Sequence, residues 1–194
     1  MTGLCAIEAA VKKGLQVRAF LRDPAKLSDH LKDKVEVFSG DILEPDSVAN
    51  AVEGTDGVVI TLGTRESMES TSDLSEGLKN ILDAMRAKNV KNVTICLSDL
   101  LICEPKEVPK EYGALTDEHR RMYQVLKDNG QNWVAVFPPP ILEYPSREII
   151  VEINPRKSPG GTISKWDLGA FMVDALFESK YSRTNVSLCN VPKQ

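Results

Sequence analysis

The sequence has few of the residues that build metal centres and disulfide frameworks. It contains four cysteines and two histidines in 194 residues. The cysteines form no CxxC pair and no Cys/His cluster. This scarcity argues against a zinc site and favours reduced thiols, as is usual in the cytoplasm. We therefore predict that the protein holds no metal and is cytoplasmic.

The sequence also lacks a strong charge bias and a long apolar run. Its formal net charge of −4 gives no electrostatic reason to expect nucleic acid or an anionic membrane as a partner. No apolar run approaches the roughly 18 residues of a membrane span. Glu8, Lys12 and Lys13 interrupt the N-terminal apolar stretch, so no signal peptide is predicted. We expect a monomer that acts on a small-molecule substrate.

Apolar residues make up 42% of the chain, which is enough for a large core within a single domain spanning 1–194. Strand-like and helix-like segments alternate along it. The near-continuous apolar run 57–62 is typical of a parallel strand covered on both faces. Strands are predicted at 16–21, 35–39, 57–62, 93–97, 133–137 and 185–189, helices at 4–13, 24–31, 45–54, 71–88, 116–129 and 164–179, and an irregular or hairpin-like region at 141–162. The alternation predicts an α/β fold with a doubly wound, mostly parallel sheet, the Rossmann fold.

The N-terminal residues match only the second half of a dinucleotide-binding βαβ unit. Such a unit begins with a buried strand and a glycine-rich turn before its helix. Here Thr2 and Gly3 run directly into the helix, and the next strand ends at Arg22. We therefore expect the first strand and most of the glycine-rich loop to be missing from the centre of the sheet. Such a chain should be unstable unless another strand fills the gap.

Residues that follow the predicted strands are candidates for binding a dinucleotide. Arg22 stands where an acidic residue would bind the ribose of NAD, and an arginine there suits the 2′-phosphate of NADP, with Lys26 one helical turn on. A solvated surface arginine is the alternative. Asp41 could accept a hydrogen bond from the adenine amino group or could simply form a turn. Gly63 would let the backbone approach the ribose and nicotinamide.

A possible proton-donating group consists of Ser98, Tyr123 and Lys127. Tyr123 and Lys127 are four residues apart and share one face of the predicted helix. An ammonium close to the phenol would favour the phenolate, and a serine hydroxyl could orient a substrate carbonyl. The alternative is that Tyr123 only packs against the core.

Several short segments, read together, resemble the biliverdin-IXβ reductase family, also called NADPH-dependent flavin reductases. This family belongs to the atypical short-chain dehydrogenases and has NmrA-like relatives. The segments are Leu21-Arg22-Asp23, Gly40-Asp41-Ile42, Leu62-Gly63-Thr64-Arg65, Ser75-Glu76-Gly77, Asp117-Glu118-His119-Arg120-Arg121-Met122, Val134-Ala135-Val136-Phe137-Pro138-Pro139 and Ile163-Ser164-Lys165-Trp166-Asp167-Leu168-Gly169. The resemblance implies NADPH as the hydride source and free flavins or bilin tetrapyrroles as acceptors.

The resemblance also implies a set of cofactor-binding residues. They are Gly3 in the phosphate loop, Arg22 and Lys26 at the 2′-phosphate, Asp41 and Ile42 beside the adenine, Leu62, Gly63, Thr64 and Arg65 along the cofactor, Cys96 and Ser98 at the nicotinamide, and Pro138, Pro139 and Ile141 in a loop over it. Two family histidines are replaced: Pro140 removes a substrate-pocket group, and Tyr123, followed by Lys127, moves the site toward the Ser-Tyr-Lys arrangement of ordinary short-chain dehydrogenases, which points to a different substrate from biliverdin. The alternative function is a non-catalytic, NmrA-like protein that senses NADP or binds a partner, or an inactive truncated isoform.

Overall fold

The computed structural model describes residues 2–64, 67 and 69–192. The α-helices of this part of the chain are α1 (Thr2–Lys12), α2 (Asp29–Lys32), α3 (Pro45–Val52), α4 (Asp73–Ala87), α5 (Gly113–Lys127) and α6 (Lys165–Ala175). The strands are β1 (Arg18–Leu21), β2 (Glu36–Ser39), β3 (Gly57–Ile60), β4 (Asn92–Cys96), β5 (Asn132–Phe137), β6 (Ile141–Leu142), β7 (Ile149–Ile153), β8 (Ile163–Ser164) and β9 (Thr184–Asn190). Within residues 2–64, 67 and 69–192, no helix is long and apolar enough to cross a membrane.

The main sheet has five strands in the order β3-β4-β5-β9-β7. The first four run parallel and β7 runs antiparallel to β9. Helices α3, α4 and α5 pack with a large core against one face, and α6 packs with a second core against the other. This arrangement confirms the predicted α/β fold with its mostly parallel sheet.

Strand β5 shows why both faces of the sheet are covered. Trp133, Ala135 and Phe137 belong to the core beneath α4 and α5, whereas Val134 and Val136 belong to the core beneath α6. Side chains alternate between faces along a strand, so a strand buried on both faces reads as a continuous apolar run. Every residue of β5 after its first is buried accordingly.

The sheet is interrupted between β1 and β3. Strand β1 pairs only with β2, and β3 pairs only with β4, within the part of the chain that the structure describes. The unpaired edges occur where the sequence predicts an absent strand. Helix α1 covers this region and crosses α6 closely, because a Cβ on Gly169 would lie 2.6 Å from the backbone nitrogen of Ala6.

Two regions differ from the sequence prediction. The helix predicted over 24–31 divides into a 3₁₀ turn (Pro24–Lys26), capped by Asp23, and the short helix α2. The segment 141–162 is irregular over 143–148 and 154–162, as predicted, but it is not a hairpin, because its two strands pair with other segments rather than with each other. Strand β6 pairs with β8, and β7 joins the edge of the main sheet beside β9. The inward Ile149 and Val151 hold β7 against the second core.

Candidate cofactor site

The predicted cofactor residues follow the carboxyl ends of successive parallel strands. Arg22 follows β1, Asp41 follows β2, Gly63 follows β3, Ser98 follows β4 and Pro138 follows β5. In open α/β sheets, ligands bind in the crevice outside these strand ends. The fold therefore brings residues that lie far apart in the sequence together at one edge.

The first turn of α1 lies at this edge. Thr2 is buried, and a Cβ on Gly3 would lie only 2.7 Å from Oγ1 of Thr61, the residue after β3. Backbone N–H groups in the first turn of a helix have no partner within the helix and attract anions. A glycine that lets the turn approach Thr61 therefore fits a dinucleotide pyrophosphate. The contact of Gly3 with the cofactor itself stays a prediction.

Arg22 provides positive charge at the end of β1. Its side chain is exposed and forms no ion pair with any residue that the structure describes. Lys26 Nζ lies 3.7 Å from Asp23 Oδ2, and the other oxygen of Asp23 accepts a hydrogen bond from the Ala25 backbone. Asp23 is thus occupied as a helix cap, and the contact of Arg22 with the 2′-phosphate stays a prediction.

Asp41 and Ile42 take part in the local packing after β2. Asp41 Oδ1 accepts a 3.0 Å hydrogen bond from the Leu43 backbone. The Ile42 side chain occupies the space that a side chain at Gly77 would need, and Asn80 Nδ2 donates to the Ile42 carbonyl at 2.9 Å. These contacts join the end of β2 to the first half of α4. The predicted adenine contacts stay predictions.

The segment after β3 leaves room for a ligand at Gly63. This glycine is exposed, and apart from its two chain neighbours no described residue has an atom within 4 Å of the position that its Cβ would take. Leu62 packs against the large core, and Thr64 Oγ1 donates to the Ser67 carbonyl at 2.6 Å. Arg65, also predicted to lie along the cofactor, is outside the described residues.

The nicotinamide end of the predicted site follows β4 and β5. The Cys96 side chain packs into the core beneath α6, and burial raises the pKa of its thiol to about 12, so the sulfur is neutral. Ser98 Oγ accepts a hydrogen bond from the Leu100 backbone at 3.2 Å. Pro138 and Pro139 are buried, while Ile141 is half-buried at the start of β6. Their predicted contacts with the nicotinamide remain predictions.

The predicted proton-donating residues are brought together only in part. Tyr123 Oη donates to Asn185 Oδ1 at 2.8 Å, and Lys127 Nζ lies 4.6 Å from the centre of the Tyr123 ring rather than at its hydroxyl. The ring also meets Phe137 edge-on. None of the hydrogen bonds between described residues joins Ser98 to Tyr123 or Lys127. The catalytic roles stay predictions, and the observed contacts anchor α5 to the sheet.

Sequence reasoning missed a buried carboxylate on α5. Glu118 is fully buried and accepts hydrogen bonds from the Ser75 backbone at 2.6 Å and from Arg121 Nε at 2.7 Å. It joins α5 to the first turn of α4. The available signal was its spacing, because Glu118 lies four and eight residues before the buried Met122 and Leu126. An acidic residue on the apolar face of a helix needs a specific partner.

Comparison with known proteins identifies the family and the fold. Residues 1–179 match the family described as NAD(P)H-binding. The fold is similar to that of a Rossmann-fold NAD(P)-binding family protein from Shigella flexneri, at 20% identity and a TM-score of 0.77, covering 100% of this chain and 92% of that one.

Two further solved structures are similar. A short-chain dehydrogenase/reductase from Veillonella parvula in complex with NADP shares 15% identity at a TM-score of 0.80, covering 98% and 90% of the two chains. ChuY, an anaerobilin reductase from Escherichia coli O157:H7, shares 15% identity at a TM-score of 0.79, covering 100% and 93%. These likenesses concern the fold, and the match over residues 1–179 shows that the chain belongs to the NAD(P)H-binding family.

Proposed function

We propose that the protein is an NADPH-dependent oxidoreductase that reduces flavins or biliverdin-type tetrapyrroles. The observation that carries the proposal is the exposed Arg22 at the carboxyl end of β1, within an NAD(P)H-binding fold. An arginine at this position suits the 2′-phosphate that distinguishes NADP from NAD. The similar structure from Veillonella parvula is itself a complex with NADP.

The residues at this edge offer a partner for each part of a dinucleotide. Arg22 and Lys26 would meet the 2′-phosphate, the first turn of α1 would meet the pyrophosphate, and Gly63 offers open backbone beyond it. Bound NADPH would supply the hydride. Ser98 and the buried Pro138 would border the acceptor and exclude water from it.

The side-chain chemistry favours an acceptor that needs no tyrosine acid. The Tyr123 hydroxyl already donates to Asn185, and the Cys96 thiol is buried and neutral. A flavin ring can accept a hydride and take its proton from solvent, whereas a ketone needs a proton donor at its oxygen. We therefore place flavins first among acceptors. Tetrapyrroles remain as the second class, which the fold shared with an anaerobilin reductase supports by analogy.

The test is a binding titration followed by turnover. The purified chain is titrated with NADPH and NADH by cofactor fluorescence, and NADPH oxidation is then measured with riboflavin, FMN and biliverdin. We expect tighter binding of NADPH and reduction of at least one acceptor. Failure to bind NADPH overturns the proposal. Binding without reduction of any acceptor would indicate the alternative, an NmrA-like NADP-sensing protein.

A further inference from the structure

Asp99 lies where three segments meet beside the predicted acceptor site. It follows Ser98 at the end of β4, and its backbone N–H donates to the Pro138 carbonyl after β5 at 3.1 Å. Its carboxylate oxygen Oδ2 accepts a 2.6 Å hydrogen bond from Ser158 Oγ. Asp99 is half-buried, and this burial raises the pKa of its carboxyl.

Ser158 belongs to the loop 154–162, which runs from β7 to β8. The two ends of the loop are fixed to β9, because Asn154 N donates to the Asn185 carbonyl at 2.7 Å and Asn190 N donates to the Thr162 carbonyl at 2.9 Å. Between these ends, the hydrogen bond from Ser158 to Asp99 is the only one that connects residues 155–161 to any other described part of the chain.

The geometry around Ser158 holds its hydroxyl toward the carboxylate. Ser158 Oγ also accepts a 3.1 Å hydrogen bond from Gly160 N. Gly160 and Gly161 both have φ of +74°, a conformation that glycine adopts readily. The loop is thereby folded so that one serine hydroxyl faces Asp99. A hydrogen bond to a carboxylate is about twice as strong as one between neutral groups.

We propose that Asp99 is a positioning residue that, through Ser158, holds the loop 154–162 against the carboxyl ends of β4 and β5 and so shapes the acceptor side of the cleft. This inference rests on the proposed function, since it assigns the loop to the acceptor rather than to NADPH. The predicted contacts with the phosphates, the adenine and the ribose lie in the first turn of α1 and after β1, β2 and β3, whereas those with the nicotinamide follow β4 and β5, where the loop is held. Most of the predicted NADPH contacts therefore lie away from the loop. Loosening the loop should therefore affect the acceptor and spare the dinucleotide.

The experiment compares variants that break the link with variants that keep it. Asp99→Ala removes the acceptor atom and Ser158→Ala removes the donor. Ser158→Thr keeps a hydroxyl and should rescue the effect. Ser146→Ala, an exposed serine in the neighbouring loop, is the matched control.

Two measurements are made on each variant. The first is the rate of tryptic cleavage after Arg156 and Lys157, both exposed within the loop, which reports loop opening without any reference to activity. The second is steady-state flavin reduction, together with the Kd for NADPH. We expect Asp99→Ala and Ser158→Ala to speed cleavage and to raise the flavin KM about tenfold, the scale of one charge-assisted hydrogen bond. The NADPH Kd should stay within about twofold.

The outcomes separate this inference from the proposed function. Unchanged cleavage in both alanine variants overturns the link between Asp99 and the loop. Faster cleavage with an unchanged flavin KM overturns the positioning role and leaves a purely structural contact. If the unmodified protein reduces neither flavin nor biliverdin, the proposed function fails, and cleavage alone then decides whether Asp99 holds the loop.

Discussion

Glu118 on α5 accepts a 2.6 Å hydrogen bond from the backbone N–H of Ser75 on α4, although the two residues are 43 positions apart. The carboxylate has no exposed surface and is also paired with Arg121. The two helices are therefore joined at this end by one buried carboxyl group.

Glu118→Ala should lower the free energy of unfolding by about 2–3 kcal/mol, because it leaves the buried Ser75 N–H without an acceptor and Arg121 without its partner. Because the Arg121 side chain is half-exposed, the loss of unfolding free energy should be smaller than for a fully buried ion pair. The measurement is urea unfolding. Asp117→Asn, which removes an exposed carboxylate from the same helix, should change stability by less than about 0.5 kcal/mol.

Gly169→Ala should destabilise the protein by about 1–3 kcal/mol through overpacking, even though alanine favours a helix over glycine by about 1 kcal/mol. The new Cβ would lie 2.6 Å from the Ala6 backbone nitrogen, so α1 and α6 would have to separate. Gly113→Ala is the matched control, because among the described residues no atom outside its own helix backbone and chain neighbours lies within 4 Å of its Cβ position. Equal melting temperatures for the two variants would show that the helices adjust freely.

His119 should make stability depend on pH between 6.5 and about 4. Burial lowers the pKa of its imidazole to about 4 from 6.5. As the pH falls below 6.5, the unfolded chain binds a proton that the folded chain does not, so stability decreases until the pH reaches about 4. The loss is at most about 3 kcal/mol.

The contribution of His119 is isolated by comparing unfolding at pH 7 and pH 4.5 in two variants. His119→Gln should lose this component of the pH dependence, and His30→Gln, which changes the exposed histidine, should retain it. The same slope in both variants would contradict the prediction.

Arg22→Ala should weaken NADPH binding about 10–100-fold and leave NADH binding nearly unchanged, because one charge-assisted contact with the 2′-phosphate is lost. The measurement is a pair of fluorescence titrations. Arg86→Ala, which removes an exposed arginine from α4, is the control. A parallel loss of affinity for both cofactors would assign Arg22 a general structural role.

Tyr123→Phe should cost about 1 kcal/mol of stability and leave kcat for flavin reduction unchanged. The variant removes the hydrogen bond to Asn185 and preserves the ring packed against Phe137. Loss of a general acid typically lowers the rate about 100-fold or more. A decrease of that size, with NADPH affinity intact, would restore Tyr123 to the catalytic role that the sequence pattern suggests.

The fold could be predicted from the sequence because its buried strands are short runs of apolar residues, which can be recognised without knowing what they pack against. The apolar run ending at Phe137 predicts β5, and the residues after each strand could be assigned to one edge from the parallel topology alone. Spacing also placed Lys127 on the same helix face as Tyr123. It could not show that the ammonium lies over the ring while the hydroxyl turns to Asn185.

The contacts that were missed join residues distant in the sequence. Glu118 meets Ser75, and Asp99 meets Ser158 across 59 positions. Each partner alone looks like an ordinary polar residue of a helix or loop. The packing of α4 against α5 brings the Ser75 N–H to Glu118. The packing of the loop 154–162 against the end of β4 brings the Ser158 hydroxyl to Asp99.

The break in the sheet means that a bound dinucleotide would also affect how the protein holds together. Arg22 follows the two-stranded unit of β1 and β2, whereas Gly63 follows the five-stranded sheet, and no backbone ladder joins the two units among the residues described. A ligand that contacts both would act as a bridge between them. Since binding to the folded state alone stabilises it by mass action, the cofactor would then serve as a structural element that secures one unit to the other.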